Sequence, residues 1–530
     1  MVAYLNLPVE TLELGTLPSD PFNERRITTS LGGPYFLQTF MLLAGDVGTV
    51  PFIDVTVGFI LYAAILVGIY RTLKLSRLVS LSLALLIFVA PLVRANFTMV
   101  VLPAALFATL FWIQIHPFLG DRMGWQRSVL LGLTAAGICS LKSNGIPGAL
   151  LICGFYYLGN FLTERRRSLK AGLFFALAAG FCLVPWMLDM KQKEGTYLFP
   201  IFGLGYHASA YGVIPPPGGA HPFLASSVWM WLAITPLGGP LLLEAAAAYK
   251  AYRRAIEPEW VALCSLLVGT GLAVASIAVS TGGESIARYS LPTEVPALLI
   301  FAAFVLRWRK SLQSRPLWLW GVSVVVVLQL AYHVAGFGLY SGQYRREAQE
   351  AGLLRMPRRL IALPKDFDMG AEQRRVALLQ AKVPSRERIL SHLTISFPFD
   401  FRRNPLFIAD WFGMAGLPPG MPVGKGPDAL RTYLLEKSIR YIAYDSRHSL
   451  VVAQADPGTS LQTALEHPRM YGRHRWVYLE VKVSEDEEKN VEALAKTYKH
   501  LYDDGVVYLL DLESRQSRRS FFRYTANTRP

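Results

Sequence analysis

Long apolar runs are the feature that most constrains this chain. About 20 apolar residues suffice for one helix to cross a bilayer, and hydropathy predicts about ten such spans in the sequence. The chain is 52% hydrophobic and only 17% charged, which is less charge than a soluble protein of this length carries. We therefore predict a polytopic α-helical membrane protein and not a large soluble protein with buried helices. The predicted spans are 50–70, 77–93, 97–115, 128–143, 146–162, 169–188, 227–248, 260–280, 289–307 and 317–339.

The connections between the predicted spans alternate in charge. One set is short and basic: "RTLKLSR", "GDRMGWQR", "TERRRSLK", "YKAYRRAIEPE" and "RWRKSLQSR". The other set comprises "VRANF", "LKSNGIP", the long segment 189–226 and "STGGESIARYS". The positive-inside rule makes the basic set cytoplasmic. Residues before about 50, segment 189–226 and the tail after 340 are then expected on the outer face, and the net charge of +15 requires no nucleic-acid partner.

Residues 1–49 contain neither a signal peptide nor a span of their own. An exported N-terminus usually needs such a segment to lead it across the membrane. We therefore expect that a first transmembrane helix is absent from this sequence, through a late start or a truncation. In the alternative, the span over 50–70 directs insertion by itself.

Composition changes near residue 345, where charge rises and turn signals appear. We assign 1–345 to a membrane domain, 346–515 to an extracytoplasmic α/β domain and 516–530 to a basic tail. Strands are predicted in "RYIAYDS", "WVYLEVKV" and "VVYLLDL". Helices are predicted in "PDALRTYLLEKS" and "DEEKNVEALAKTYKHLY".

No segment predicts a bound cofactor. "GLPPGMPVGKGP" resembles a phosphate loop but lacks the order G-x-x-x-x-G-K-[ST], so a proline-stiffened surface loop is favoured. "DFDMGAEQ" is too short and irregular for a calcium loop. The cysteines lie in apolar runs without zinc-like spacing. No metal-ligand cluster is seen, although a divalent metal stays an open alternative. The cysteines are Cys139, Cys153, Cys182 and Cys264.

Several cations are predicted at the outer ends of the spans, where charged groups usually line a cavity. Lys142 either snorkels to lipid headgroups or binds a ligand. Glu284 and Arg288 lie one helical turn apart, either as a loop-closing salt bridge or as a functional pair. Cations gathered at one face suit a phosphate carried by a lipid. The candidates for phosphate binding are Arg288, Lys142, Arg94 and Arg25.

Carboxylates of the first outer segment are candidates for the base that activates an acceptor. They are Glu10, Glu13, Asp20 and Glu24, of which Glu24 adjoins Arg25 and Arg26 and is expected to be ion-paired. Loop histidines without a second ligand at metal spacing, His207 and His221, are most simply solvated. The candidates for orienting the substrate are Glu284, Tyr289, Tyr35 and His207.

The order of motifs resembles the GT-C glycosyltransferases, a group that includes protein mannosyltransferases and lipid A aminoarabinose transferases. "SLGGPYFLQTFMLLAG" is similar to the stretch that follows the family's acidic motif, with Gly33–Pro34 before Tyr35 and Phe36. Lys142 matches a lysine-bearing helical hairpin, and Pro185–Trp186 matches a span end that leads to the loop "GTYLFP". "ARYSLPTEVPALL" is similar to the late span whose arginine contacts the donor phosphate, here Arg288.

The resemblance implies a sugar transfer from a polyprenyl-phosphate donor to a lipid, glycan or protein acceptor, with inversion, at the periplasmic face of the inner membrane. The chain departs from the family pattern in two places. The acidic motif would fall before Met1, so Glu10, Glu13 or Glu24 would have to serve as the carboxylate. The aspartate after the third span is missing, and Asn96 is the nearest polar residue.

Two other functions stay open at this point. A flippase or transporter of lipid-linked sugars predicts mid-span polar residues and internal repeats, and the sequence shows few mid-span charges and no obvious repeat. A non-catalytic scaffold predicts that the outer domain binds a partner and that Arg288 is dispensable.

Overall fold

The chain, as a computed structural model, divides into two compact units. The helical unit comprises residues 30–189 and 219–362, and the α/β unit comprises residues 1–29, 190–218 and 363–530. The predicted domain boundary near residue 345 lies outside the described residues. The structure describes residues 3–23, 31–45, 49–85, 99–119, 123–142, 144–162, 164–198, 205–206, 208–209, 258–281, 286–312, 368–409, 413, 415–446 and 475–516.

Helices account for most of the described chain before residue 313. The first, α1 (Ala3–Leu14), belongs to the α/β unit. The others are α2 (Gly33–Ala44), α3 (π-helical over Ile53–Gly58 and α-helical over Phe59–Thr72), α4 (Arg77–Leu85), α5 (Val101–Ile115), α6 (Trp125–Leu141), α7 (Gly145–Phe161), α8 (Arg165–Glu194), α9 (Pro258–Thr281) and α10 (Ile286–Leu312).

Two described helices, α3 with 20 residues and α8 with 30, are long and apolar enough to cross a membrane. Four shorter apolar stretches, within α5, α7, α9 and α10, match further predicted spans in position. The predicted spans 227–248 and 317–339 lie outside the described residues. The full set of ten spans therefore stays a prediction.

Close contacts between helices fix their directions. Gly58 approaches Leu102 and Gly68 approaches Trp112, so α3 and α5 run parallel. Gly159 approaches Val261 and Gly269 approaches Ile152, so α7 and α9 run antiparallel. These directions, with the hairpin α6–α7, bring the starts of α3, α5, α7 and α10 and the ends of α6 and α9 to one end of the helical unit, which we call the site end.

The opposite end, which we call the basic end, carries the short basic connections. Within the described residues it includes the α3–α4, α5–α6 and α7–α8 connections and the last turns of α10. Arg127 organises one of them, because its guanidinium donates to the carbonyl of Gln114 (3.0 Å), in the last turn of α5, and to that of His116 (2.6 Å), the C-cap of α5. The described cations of this end are Arg71, Lys74, Arg77, Arg127, Arg165, Arg166, Arg167, Lys170 and Arg307.

One face of α8 is apolar and exposed. Leu169, Leu173 and Leu177 are each 60% exposed and Phe181 is 83% exposed. Their spacing of four residues places them on a single stripe of the helix. A core helix of a soluble protein would bury such a stripe.

The α/β unit is built on a five-stranded sheet in the order β3-β2-β5-β7-β6. Strands β2, β3 and β5 are parallel, and β7 runs antiparallel to β5 and β6. The described helices of the tail are α11 (Met369–Gln380), α12 (Pro427–Glu436) and α13 (Arg475–Thr497). The strands are β1 (Ala208–Ser209), β2 (Arg388–His392), β3 (Leu406–Ile408), β4 (Ala415–Gly416), β5 (Ile439–Asp445), β6 (Tyr498–Asp503) and β7 (Val507–Arg515).

Side chains alternate between the two faces of this sheet. Ile389 and Tyr441 join the core formed with α11, whereas Leu390 and Ile442 join the core formed with α12 and α13. Both faces are covered, as expected for parallel strands.

The predicted tail elements are confirmed in part. "PDALRTYLLEKS" forms α12 and feeds "RYIAYDS", which forms β5, while "VVYLLDL" forms β7. The strand prediction for "WVYLEVKV" is wrong, since these residues lie in α13. Buried positions 483, 487, 491 and 494 recur at helical spacing, and this longer period overrides the short alternation. The helix predicted through "YKHLY" is also wrong, because α13 ends at Thr497 and β6 pairs with β7.

Three separate chain segments build the α/β unit. Asp20 accepts the N–H of Ile408 (2.7 Å) on edge strand β3, and the Phe22 ring lies 5.1 Å from the Phe407 ring. Strand β1, from segment 189–226, pairs with β4. The N-terminal segment and the long loop are therefore integral parts of this unit.

Candidate functional site

The motifs that carry the family resemblance meet at the site end of the helical unit. A Cβ atom on Gly33 would lie 2.8 Å from the carbonyl carbon of Ser140, so α2 begins directly against the last turn of α6. One turn along α2, the Phe36 ring lies 5.8 Å from the Trp186 ring of α8. The "GGPYF" segment and Pro185–Trp186 therefore converge near the end of α6.

Lys142 lies at this point of convergence. It is the C-cap of α6, and α7 begins three residues later. The predicted lysine-bearing hairpin of two helices is thus present. Lys142 is half-buried and its Nζ atom is buried. A snorkelling lysine would expose Nζ, so the geometry favours a role inside the protein.

Asp54 is a buried carboxylate that sequence reasoning missed. It is 2% exposed, and its oxygens accept the N–H groups of Val100 (2.9 Å), Val101 (3.3 Å) and Leu102 (2.7 Å). It also interacts electrostatically with Lys142. The available signal was a lone carboxylate within the predicted span 50–70, since an ionisable group in a span is a functional candidate by default.

Arg288 and Tyr289 lie in the first turn of α10. Gly148, in the first turn of α7, approaches Thr293 of α10. The backbone of Arg288 therefore lies at the same end of the helical unit as Lys142. Tyr35 lies in the first turn of α2 and is 5% exposed. Other predicted site residues lie outside the described residues: Glu24, Arg25, Arg94, His207 and Glu284.

The remaining acidic candidates lie in the α/β unit. Glu13 accepts the N–H of Phe401 (2.8 Å), and burial raises the pKa of its carboxyl. Glu10 is 6% exposed, and its Oε2 atom has no hydrogen-bond partner in the described part of the chain. Burial, followed by the nearby Asp20 and Glu13, raises the pKa of Glu10 well above its ordinary value. Burial therefore favours the protonated form of the Glu10 carboxyl.

The described residues contain no cluster of metal ligands. Within the described ranges, no group of three or more His, Cys, Asp or Glu side chains is arranged to hold a metal ion. The described cysteines are free thiols.

Comparison with known proteins gives structural similarities only. No protein-family model matches the chain, and no curated protein sequence matches it. An archaeal oligosaccharyltransferase AglB from Archaeoglobus fulgidus, in complex with an inhibitory peptide and a dolichol-phosphate, aligns with a TM-score of 0.42 and 10% identity over 95% of this chain and 69% of its own. ArnT from Cupriavidus metallidurans, bound to undecaprenyl phosphate, aligns with a TM-score of 0.36 and 13% identity over 96% of this chain and 92% of its own.

Because the TM-scores lie below 0.5, the function proposed for this chain rests on its own residues.

Proposed function

We propose that this chain is a GT-C-type membrane glycosyltransferase that moves a sugar from a polyprenyl-phosphate donor to a lipid, glycan or protein acceptor. The observation that carries the proposal is convergence: Lys142, the start of α2, Trp186 and the backbone of Arg288 meet at one end of the helical unit. These residues are scattered along the sequence. A phosphate carried by a lipid would bind to the cations among them, which accounts for their convergence.

The exposed stripe of α8 supports a membrane setting. Four large apolar side chains at 60–83% exposure are costly in water but suit contact with lipid tails. The clustering of arginines and lysines at the basic end supports a cytoplasmic location for that end. The site end then faces outwards.

The composition of the α/β unit supports the same topology. Residues before 50, segment 189–226 and the tail are each predicted on the outer face, and parts of all three, residues 1–29, 190–218 and 363–530, fold together into one unit. Segments on opposite sides of a membrane could not do so. A cysteine from Asp428→Cys should react with a membrane-impermeant thiol reagent in intact cells. One from Lys74→Cys should react only after permeabilisation.

The mechanism is a single displacement at the anomeric carbon. A carboxylate takes the proton of the acceptor hydroxyl, the acceptor oxygen bonds to the anomeric carbon, and the bond from that carbon to the phosphate oxygen breaks. Polyprenyl phosphate leaves with the electron pair. Arg288 and Lys142 stabilise the growing phosphate charge. Glu284, Tyr289, Tyr35 and His207 are proposed to orient the substrates.

The proton acceptor is proposed among Glu10, Glu13 and Glu24. Glu13 already accepts a backbone N–H from Phe401, which gives it a structural role. Glu10 has an oxygen without a hydrogen-bond partner in the described residues, so that oxygen is open to accept a proton, whereas an oxygen of Glu13 is already engaged.

Transfer of radiolabelled sugar tests the proposal. Membranes containing the full chain receive polyprenyl-phosphate hexose or pentose, and both glycosylated product and released polyprenyl phosphate are measured. Arg288→Ala and Lys142→Met should each lower transfer about 100-fold or more. Arg166→Ala, at the basic end, is the matched control and should leave transfer unchanged.

The rival functions give different results in this assay. A flippase would move the donor without releasing polyprenyl phosphate. A scaffold would show no transfer in the wild type and would keep its cellular role in Arg288→Ala. Either result would remove the glycosyltransferase proposal.

A further inference from the structure

The parallel part of the sheet in the α/β unit has a switch point between β2 and β5. The chain passes from β2 to β3 on one side of β2, and β5 lies on the other side. In open α/β sheets, ligands bind outside the carboxyl ends of the strands at such a point. The residues at this place are His392, the last of β2, and Tyr444 and Asp445, the last two of β5. A ligand of the α/β unit is therefore expected at this edge of the sheet.

Four rings, which we call the aromatic row, cross this edge: His392, Tyr444, Tyr508 and His500. In the strand register His392 lies opposite Tyr444, and Tyr444 lies opposite Tyr508. The ring centroids of these pairs are 5.5 Å and 5.3 Å apart, and the His500 ring stacks on that of Tyr508 at 5.3 Å. From α13, an oxygen of Glu488 lies 4.0 Å from Nε2 of His392. Groups from β2, β5, β6, β7 and α13 thus meet at one place.

The hydroxyls of the two tyrosines distinguish the aromatic row from an ordinary core. Tyr444 is 1% exposed, and the hydroxyl oxygens of Tyr444 and Tyr508 are buried without a hydrogen-bond partner among the described residues. Such a hydroxyl costs about 1–3 kcal/mol, and native proteins hold few of them. Tyr433, in the same core as Tyr444, instead donates its hydroxyl to the carbonyl of Leu417 (2.7 Å). Two neighbouring hydroxyls left unused at a switch point indicate a ligand that supplies their partners.

The charges beside the aromatic row limit the class of ligand. Glu492 follows Glu488 by one turn of α13, and Asp503 pairs with His500 (2.7 Å). These carboxylates would repel a phosphate or carboxylate group. The tyrosine hydroxyls can both donate and accept hydrogen bonds, and they lie beside apolar ring surface. This combination suits a neutral sugar, which has hydroxyls of its own and apolar C–H groups.

We propose that the aromatic row and Glu488 bind one neutral sugar unit of the acceptor. The hydroxyls of Tyr444 and Tyr508 exchange hydrogen bonds with sugar hydroxyls, and the Glu488 carboxyl accepts a further one. The assignment of this sugar to the acceptor rests on the proposed function, whereas the presence of a sugar site in the α/β unit does not.

The test measures the binding of methyl hexosides and methyl pentosides to the purified full chain in nanodiscs, without donor, by saturation-transfer NMR. The wild type should bind at least one of them. Tyr444→Phe and Tyr508→Phe should each weaken that binding about tenfold, as expected for the loss of one hydrogen bond. Tyr433→Phe removes a hydroxyl from the same core and is the matched control, with no expected change in binding.

The stability of the sugar-free chain separates a binding site from a structural core. Tyr444→Phe and Tyr508→Phe should leave the unfolding temperature unchanged or raise it, because each removes a buried hydroxyl that lacks a described partner. Tyr433→Phe should lower the unfolding temperature, because the Leu417 carbonyl loses its donor. If the first two variants lose as much stability as Tyr433→Phe, their hydroxyls are satisfied within the protein and the proposal is overturned.

The binding measurements can overturn the proposal as well. They do so if the wild type binds no neutral sugar, or if Tyr444→Phe and Tyr508→Phe bind it as tightly as the wild type. Tighter binding of a methyl aminohexoside would assign the site to a cation held by the carboxylates and would also overturn it. A wild type that binds sugar but transfers none from any polyprenyl-phosphate donor would instead remove the proposed function and leave the sugar site in place.

Discussion

Replacement of Gly33 by alanine tests the convergence at the site end most directly. The added Cβ would lie 2.8 Å from the carbonyl carbon and 3.0 Å from the Oγ atom of Ser140. The carbonyl belongs to the last turn of α6, so α2 must move away from the residue two positions before Lys142. Overpacking of this kind costs about 1–3 kcal/mol.

Gly172 provides the matched control. It lies within α8, and a Cβ there would meet no atom within 4 Å. Gly172→Ala should therefore be neutral or stabilise by up to about 1 kcal/mol, which is the ordinary gain of alanine over glycine in a helix.

The assay compares both variants in SDS-induced unfolding from mixed micelles and in sugar transfer. Gly33→Ala should lower the free energy of unfolding and reduce transfer, while Gly172→Ala should do neither. Equal behaviour of the two variants would refute the packing of α2 on α6, and with it the convergence that supports the site.

Three further predictions concern the α/β unit. Phe22→Ala should destabilise the full chain by about 3–5 kcal/mol, because Phe22 is fully buried against Phe407 and Tyr433. Burial raises the pKa of Glu487 to about 8. The stability that the protonated Glu487 gives to the folded state is therefore fully present below the ordinary pKa of 4.5 and is lost as pH rises through 8. Glu487→Gln should flatten the fall of unfolding temperature between these limits. Burial raises the pKa of Asp511, but two hydrogen bonds from Arg440 outweigh it and hold that pKa at about 2. Arg440→Met should therefore lower the free energy of unfolding by about 1 kcal/mol at pH 7, a figure that allows for solvent screening of the half-exposed arginine. The loss should become smaller as pH falls towards 2.

A different result would contradict each of these three predictions. Phe22→Leu should retain most of the stability that Phe22→Ala loses, and an unchanged unfolding temperature in Phe22→Ala would mean that the N-terminal segment does not pack as described. A Glu487→Gln profile parallel to the wild type would contradict the assigned pKa. An Arg440→Met loss that is equal at pH 7 and pH 2 would show that Asp511 is not its partner.

Local patterns predicted much of the described secondary structure. The helix-to-strand step from "PDALRTYLLEKS" to "RYIAYDS" was recoverable because turn signals and periodicity are local properties. "WVYLEVKV" was not, since its short alternation competes with a helical period that becomes clear only when residues up to 494 are included. Interactions distant along the chain set the limit for the site. Asp54 caps α5, which starts about 46 residues later. No local pattern in the sequence predicts a contact between residues so far apart.

The motif order predicts the helical hairpin around Lys142 but not the groups that surround it. Lys142 was singled out as a hairpin lysine, and the hairpin is present. The role of Asp54 in α3, which accepts N–H groups at the start of α5, follows only from the packing of α3 beside α5. Likewise, the packing of Glu13 against Phe401 could not be inferred from either stretch alone.

The hydrogen bond between Asp20 and Ile408 joins residues that are 388 positions apart. Asp20 is therefore synthesised well before its partner. At about 5–20 residues per second, roughly 20–80 s pass between synthesis of the first partner and synthesis of the second. During that interval Phe22 has no ring to cover it, and the nascent N-terminal segment is exposed to proteases and to aggregation. Chaperones in the compartment where the α/β unit folds, and lower growth temperatures, should raise the yield of intact protein.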